Sequence, residues 1–319
     1  MNQRKQKQRK VYRKMVSMGL LLTLIVCLFL CACGENSGKN LSIPKDLKSV
    51  AEKTAEELVK THESPKVSSI DGEWLVIGVH YSGYEAPDSF YSHYYDTLRA
   101  EVKSKKGILS EDKYSEYERV LLCLQAIGMD TTQVEGYDLR PYLDDYEKIA
   151  GMGASVASFA LIASNVLGYP LENEEAYIQV ILEEAWSPSI MGEAGLSDYV
   201  AMAVEALSFY RGREDVDSFI EDSLTFFSET QNEDGSMINC EATAECIICL
   251  VQLGIDPLTD ERFIKNGKNL GDGLLTFYLG DGTFFHDADN PNGSEIPTEK
   301  ALLGLDTLLL SQKGEKLYQ

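Results

Sequence analysis

The chain has 319 residues, with 51 Asp and Glu against 29 Lys and Arg, and a net charge of −22 at pH 7. So acidic a surface repels phosphate backbones and excludes nucleic acid as a partner. The length suffices to bury a large core, as one domain or two smaller ones. In chain order, the first 14 residues carry seven basic side chains and no acid: Arg4, Lys5, Lys7, Arg9, Lys10, Arg13 and Lys14. An apolar run from Met18 to Ala32 follows, too short for an ordinary spanning helix. A basic start, a short apolar stretch and small residues at its end predict a signal peptide over residues 1–32.

The run ends in Leu30-Cys31-Ala32-Cys33-Gly34, which resembles the lipobox of bacterial lipoproteins. The resemblance implies cleavage after Ala32, acylation of Cys33 with palmitate-type chains, and a place on the outer face of the cell membrane. The bilayer is then a partner through Cys33, because two or three acyl chains hold where one does not. An uncleaved anchor helix is the alternative. Residues 33–43 read as a polar, lipidated tether and residues 44–319 as one domain. Loss of the signal removes seven positive charges and takes the net charge from −22 to −29.

Past the tether, helical patterns alternate in kind. Pro44–His62, Ser89–Lys103, Leu139–Lys148, Glu174–Trp186, Asp215–Thr230 and Asp260–Tyr278 are charged on one face. Glu73–Tyr81, Tyr114–Ile127, Ala154–Leu167, Leu196–Tyr210, Glu241–Leu253 and Thr298–Leu310 are apolar nearly all round. A one-sided helix faces water and an all-round apolar helix is enclosed by protein. The pattern predicts an all-α fold, an α/α toroid of about six helical hairpins with inner and outer helix rings. A repeat marks the last third. Asp234-Gly235-Ser236-Met237 leads into Glu241, and Asp281-Gly282-Thr283-Phe284 leads into Thr298-Glu299, each a tight turn feeding an enclosed helix.

Gln231–Met237 resembles the Q-x-x-x-G-x-W repeat of terpenoid cyclases and the DGSF-type turns of protein prenyltransferases, with Met237 in place of the aromatic residue. Val79–Ser89, Tyr114–Tyr137 and Leu253–Asn269 are similar to exported prenyltransferase/squalene-cyclase-like repeat proteins. The resemblance implies the toroid and leaves the activity open, since this fold serves several chemistries. The D-x-D-D run of protonating cyclases is missing; the nearest stretches are Asp287-Ala288-Asp289-Asn290 and Asp215-Val216-Asp217. Cys240 and His286 form a conceivable zinc pair without a third ligand at diagnostic spacing. Asp287–Gly293 has the flavour of a calcium loop, but Pro291 stands at a ligand position. No metal and no cofactor are expected. Cys246 and Cys249, at i and i+3, read as core residues, and the cysteines specify no disulfide framework.

Glu73, Glu116, Asp198, Glu241, Glu245 and Glu299 lie near the starts of the enclosed helices, where an acid also suits the helix dipole. Arg119 opens an otherwise apolar helix and is expected to pair with Glu116 or Glu73, or to meet an anionic ligand. The ligand-binding residues expected at the ring mouth are Trp74, Tyr114, Arg119, Tyr199, Glu241, Phe285 and His286, with the long loop 280–297 beside them. The leading expectation is a non-catalytic, surface-anchored receptor for a small ligand or a surface polymer. The alternative is an enzyme of the prenyltransferase/terpenoid-cyclase or glycan-processing kind.

Overall fold

The computed structural model describes residues 46–187 and 197–318, all of them within one compact unit. The signal peptide, Cys33 and the tether lie outside the described residues. Within them the chain is mainly α, 60% helix and 5% strand, with about 12 helices. No helix among the described residues is long and apolar enough to cross a membrane.

The first hairpin shows the rule. Helix α1 (Leu47–Thr61) is capped by the Asp46 carboxylate, which accepts from Lys48 N at 3.1 Å. It buries Val50, Ala51, Ala55, Leu58 and Val59 at helical spacing, a one-sided face. Helix α2 (Glu73–Tyr81) buries all of its first seven residues. The alternation continues with α3 (Asp88–Ser104) and α4 (Ser115–Ala126), then α5 (Tyr146–Gly151) and α6 (Ala154–Leu167). Next come α7 (Glu174–Glu184), α8 (Ser197–Leu207), α9 (Glu214–Thr230) and α10 (Cys240–Gln252). The series closes with α11 (Leu270–Leu275) and α12 (Glu295–Ser311).

The even-numbered helices hold the core. Helix α2 packs on α4, α4 on α6, α6 on α8, α8 on α10, α10 on α12, and α12 on α2. Odd-numbered helices cover them: α1 lies on α12 and α2, α7 on α6, α9 on α8, and α11 on α10. Small residues set the close approaches. A Cβ on Gly304 of α12 would stand 3.1 Å from Ala244 Cα of α10, so a larger residue there would push the two helices apart.

The repeat of the last third recurs bond for bond. Ser236 N and Oγ donate to Asp234 Oδ1 at 3.0 and 2.7 Å, and Thr283 N and Oγ1 donate to Asp281 Oδ1 at 3.0 and 2.7 Å. Met237 N then donates to Thr243 Oγ1 at 2.9 Å, and Phe284 N to Thr298 Oγ1 at 3.0 Å. Gly235 is required twice. Its φ of 90° is left-handed, and a Cβ there would lie 2.2 Å from Asn269 O.

Three expected spans differ. Leu139–Lys148 is a 3₁₀ turn, Arg140–Asp144, followed by the short α5. Asp145, non-helical at φ −79° and ψ 82°, breaks the span and caps Lys148 N. Asp260–Tyr278 is likewise divided. After the 3₁₀ turn Glu261–Phe263, Asn266 and Gly267 take φ of 50° and 75°, and Lys265 and Lys268 exchange two backbone bonds of 2.8 Å across them. An Asn-Gly pair at positive φ is a hairpin turn, which no helix can run through. The helix restarts as α11 on an Asn269–Asp272 capping box. The segment 280–297 is not all loop: Phe285–Asp287 (β1) and Asn290–Gly293 (β2) pair antiparallel, and α12 already begins at Glu295. The fold is therefore mainly α rather than all-α.

Candidate functional site

Five even-numbered helices bring polar or aromatic side chains together at matching depth. Lys300 is the sixth residue of α12 and Glu245 the sixth of α10. Lys300 Nζ donates to Glu245 Oε1, and the two side chains are 14% and 3% exposed. The same ammonium stands 4.7 Å from the centroid of Trp74, on α2, and 6.0 Å from that of Phe159, on α6. The two rings lie 5.3 Å apart. A cation over an indole face is attracted by its quadrupole, more strongly where water is excluded.

Helix α8 adds two acids beside this pair. Asp198 lies at its start; burial raises its carboxyl and the Glu245 charge raises it further, with the backbone N–H groups of Tyr199 and Asp198, and then Lys300, in partial opposition. One Asp198 oxygen is buried without a hydrogen-bond partner. Glu205, two turns deeper and 4% exposed, is pushed up to about 8 by burial and then by the Glu245 charge. Desolvation disfavours the charged form, and a neighbouring carboxylate adds to the effect. Beneath lies the chain's C-terminal end. Leu317 and Tyr318 are buried, and Lys316 Nζ donates to Gln252 O, at the end of α10, at 2.9 Å. Burial raises the Tyr318 phenol well above its usual range, and the Glu205 and Glu245 charges act in the same direction.

Above the cluster, at the start of α10, Glu241 accepts from His286 Nδ1 at 2.8 and 3.0 Å. His286 Nε2 lies 3.4 Å from Asp287 Oδ2, and the side chain is 38% exposed. Phe285 lies with its ring 5.4 Å from that of Phe277, and Tyr199 is exposed. Cys240 is buried and its Sγ donates to Pro297 O at 3.5 Å, so Cys240 and His286 have different partners. Among the described residues, no group of three His, Cys, Asp or Glu is placed to hold a metal ion.

Of the seven residues expected to bind ligand, Trp74 joins the Lys300 cluster, and Glu241 pairs with His286 at its entrance. Two are engaged elsewhere. Arg119 Nε donates to Glu73 Oε2 at 3.2 Å, one of the two acids open to it, and Nη1 donates to Ser115 O at 3.1 Å. Tyr114 is buried and its hydroxyl donates to Asp145 Oδ2 at 2.9 Å. Glu73 itself is fully buried and also accepts from Tyr94 Oη at 3.1 Å. Burial raises Glu73 to about 7, with Arg119 and Tyr94 opposing the rise. Among the other acids of the helix starts, Glu299 is pushed up to about 8, chiefly by burial, and accepts from Asp71 N at 2.8 Å.

Lys300, Phe159 and Glu205 were not foreseen as site residues. A signal for Glu205 was present: it is a lone acid in the otherwise apolar stretch Val200–Leu207. Lys300 gave none, since a lysine one turn into a helix normally reads as solvated. A separate open groove of 520 Å³ lies between α1 and the turn Gly83–Glu85, lined by Glu52, Lys53 and Glu56 among others. None of the expected ligand-binding residues lines it. Comparison with protein-family models and with curated proteins finds no match for this chain.

Proposed function

We propose that the chain is a lipid-anchored protein of the outer membrane face, whose six hairpins form an α/α toroid of the terpenoid-cyclase/prenyltransferase type. In this reading it binds, without catalysis, a small ligand or the end of a surface polymer at the ring mouth. The packing order of the even-numbered helices, with α12 on α2, supports the ring. One observation carries the binding reading: Trp74, Phe159, Asp198, Glu245 and Lys300, from five separate helices, meet in one water-poor place. Such convergence from distant parts of a chain marks a site more than a packing accident. Acids outnumber the single ammonium, so a donor-rich ligand, a sugar or an amine, suits it.

The test is a thermal-shift screen of the full chain with cell-wall sugars, amino sugars and amines. Lys300→Ala and Glu245→Gln are expected to abolish the shift produced by the best ligand; a shift that ignores both places the site elsewhere. Anchoring is read in the same preparations, where Cys33→Ala should stop incorporation of labelled fatty acid; continued labelling would end that half of the reading. A glycan-processing enzyme is the second reading, favoured by Glu205, which is pushed up to about 8 beside Glu245. A carboxyl that holds its proton near neutral pH, with a second carboxyl beside it, is an ingredient of acid–base hydrolysis. Release of reducing ends from a glycan, lost in Glu205→Gln, would put it first.

A further inference from the structure

Among the described residues, the exposed large apolar side chains are not scattered. Six of them fall one to a hairpin, on the connection from an odd-numbered to an even-numbered helix or in the first turn of the latter. They are Ile70, Ile108, Met152, Tyr199, Ile238 and Ile296, each between 36 and 48% exposed. The two others, Tyr137 and Tyr146, lie where the chain passes from an even to an odd helix. Bonds between the starts of α2, α4, α10 and α12 bring four of these connections together, and Asp198, beside Tyr199, lies by Glu245 and Lys300. Asp71 N donates to Glu299, Cys240 Sγ to Pro297 O, and Arg119 to Glu73. Single exposed apolar residues need no explanation, but a collar of them around one mouth marks an interaction surface.

Charge decides the occupant. The sequence has no Lys or Arg from Ile149 to Tyr210, from Glu214 to Glu261, or from Asn269 to Glu299. The stretches that carry Tyr199, Ile238 and Ile296 thus bring no cation of their own and hold the exposed acids Glu233, Asp234, Asp289 and Glu295, with the cations Lys265 and Lys268 nearby, in the turn whose Asn266 donates to Glu233 at 3.1 Å. An anionic lipid surface, a nucleic acid and a second copy of this acidic chain would each bring like charge to that face. A basic segment brings the opposite charge, and bulky apolar residues along one side of it would cover the isoleucines. Resting on the toroid reading above, we infer that this collar docks a cationic amphipathic peptide segment of another protein, its apolar side on Tyr199, Ile238 and Ile296 and its Lys and Arg on the flanking acids.

The test immobilises the full chain and titrates a Lys/Leu amphipathic peptide, with a Gln/Leu peptide of the same pattern as control. The Lys/Leu peptide is expected to bind, and to bind more weakly as salt is raised. Ile238→Ser with Ile296→Ser should weaken it about tenfold or more, as loss of apolar anchors at an interface does. Tyr137→Ser, at the other connections, should leave it unchanged. Glu233→Gln with Asp234→Asn should flatten the salt dependence. Equal binding of the Gln/Leu peptide, an equal loss in Tyr137→Ser, or self-association abolished by the double serine substitution would each overturn the proposal. The small-ligand response of Lys300 and Glu245 reads the interior independently. Its survival when peptide binding fails removes the docking proposal and leaves the ring-mouth reading in place.

Discussion

Glu73 and Glu245 begin from the same materials. Each is a nearly fully buried carboxylate near the start of an even-numbered helix, and each meets a cation from the next even-numbered helix, Arg119 for Glu73 and Lys300 for Glu245. Their surroundings then part. Both Glu73 oxygens are bonded, one by Arg119 and one by Tyr94, while Glu118, buried on α4, feels the Arg119 charge but bonds to none of the three. Glu245 has Lys300 alone, and Asp198 and Glu205 crowd the same place, with one Asp198 oxygen left without a partner. A buried polar set that is fully bonded fixes a structure, and one left short of donors stores a demand that a ligand can meet. The first cluster is a staple between α2, α3 and α4; the second is the cluster on which the proposed binding site rests.

The hardest blow to this contrast would come from Arg119→Ala. Removing one partner of a buried pair leaves an uncompensated charge, at a cost of about 3–5 kcal/mol. We expect a loss of that order in urea unfolding, with Arg119→Lys recovering only part of it, because lysine replaces a rigid fork of donors with a point charge. A loss below about 1 kcal/mol would mean that Glu73 takes up a proton and stays buried neutral, and that the staple is no staple.

Next in size is a pH effect at Glu205. Its carboxyl is pushed up to about 8 in the fold, against about 4.3 in an unfolded chain. Between those values the folded protein holds a proton that the unfolded chain releases, so stability falls as pH rises through the window. The penalty is absent below about pH 4 and complete above about pH 8. Glu205→Gln should therefore be more stable than the parent by on the order of 4 kcal/mol near pH 8, with the two curves meeting near pH 4. Glu299, raised to about 8, and Asp198, raised by burial, act in the same direction and keep part of the slope in the variant. Curves that stay parallel across the range would show that Glu205 is not the strained acid.

The alternation of helices was legible in the sequence, and Glu73 was one of the partners open to Arg119, but the cluster around Lys300 was not legible. Helix patterns survive because burial of one face or of all faces is a local property of spacing, as in α9 with Val216, Phe219, Ile220, Leu224 and Phe227. The span 260–278 failed for a local reason too: Asn266-Gly267 is a hairpin signal that apolar periodicity overran. Lys300 is different in kind. Nothing within α12 says that its ammonium lies over Trp74, some 200 residues earlier in the chain. Only the packing order, which returns α12 to α2, puts them together.

The smallest expected effect concerns the entrance, and it separates folding from binding. His286 and Glu241 are bonded at 2.8 Å, a geometry as good as that of the interior pairs, yet the His286 side chain is 38% exposed. Water screens such a pair and competes for both partners, so it contributes about 0.2–1 kcal/mol at most. Thermal unfolding of His286→Gln should thus lie within about 1 kcal/mol of the parent, far from the loss expected for Arg119→Ala. If the proposed site serves binding, the same variant should still weaken the best ligand of the screen, because Glu241, which His286 holds, lies one turn before Glu245 on α10. A large loss of stability would instead make β1 and β2 part of the core that holds α10 and α12 together. The contrast would then no longer lie between a staple and a site, but between two staples, one of them partly wet.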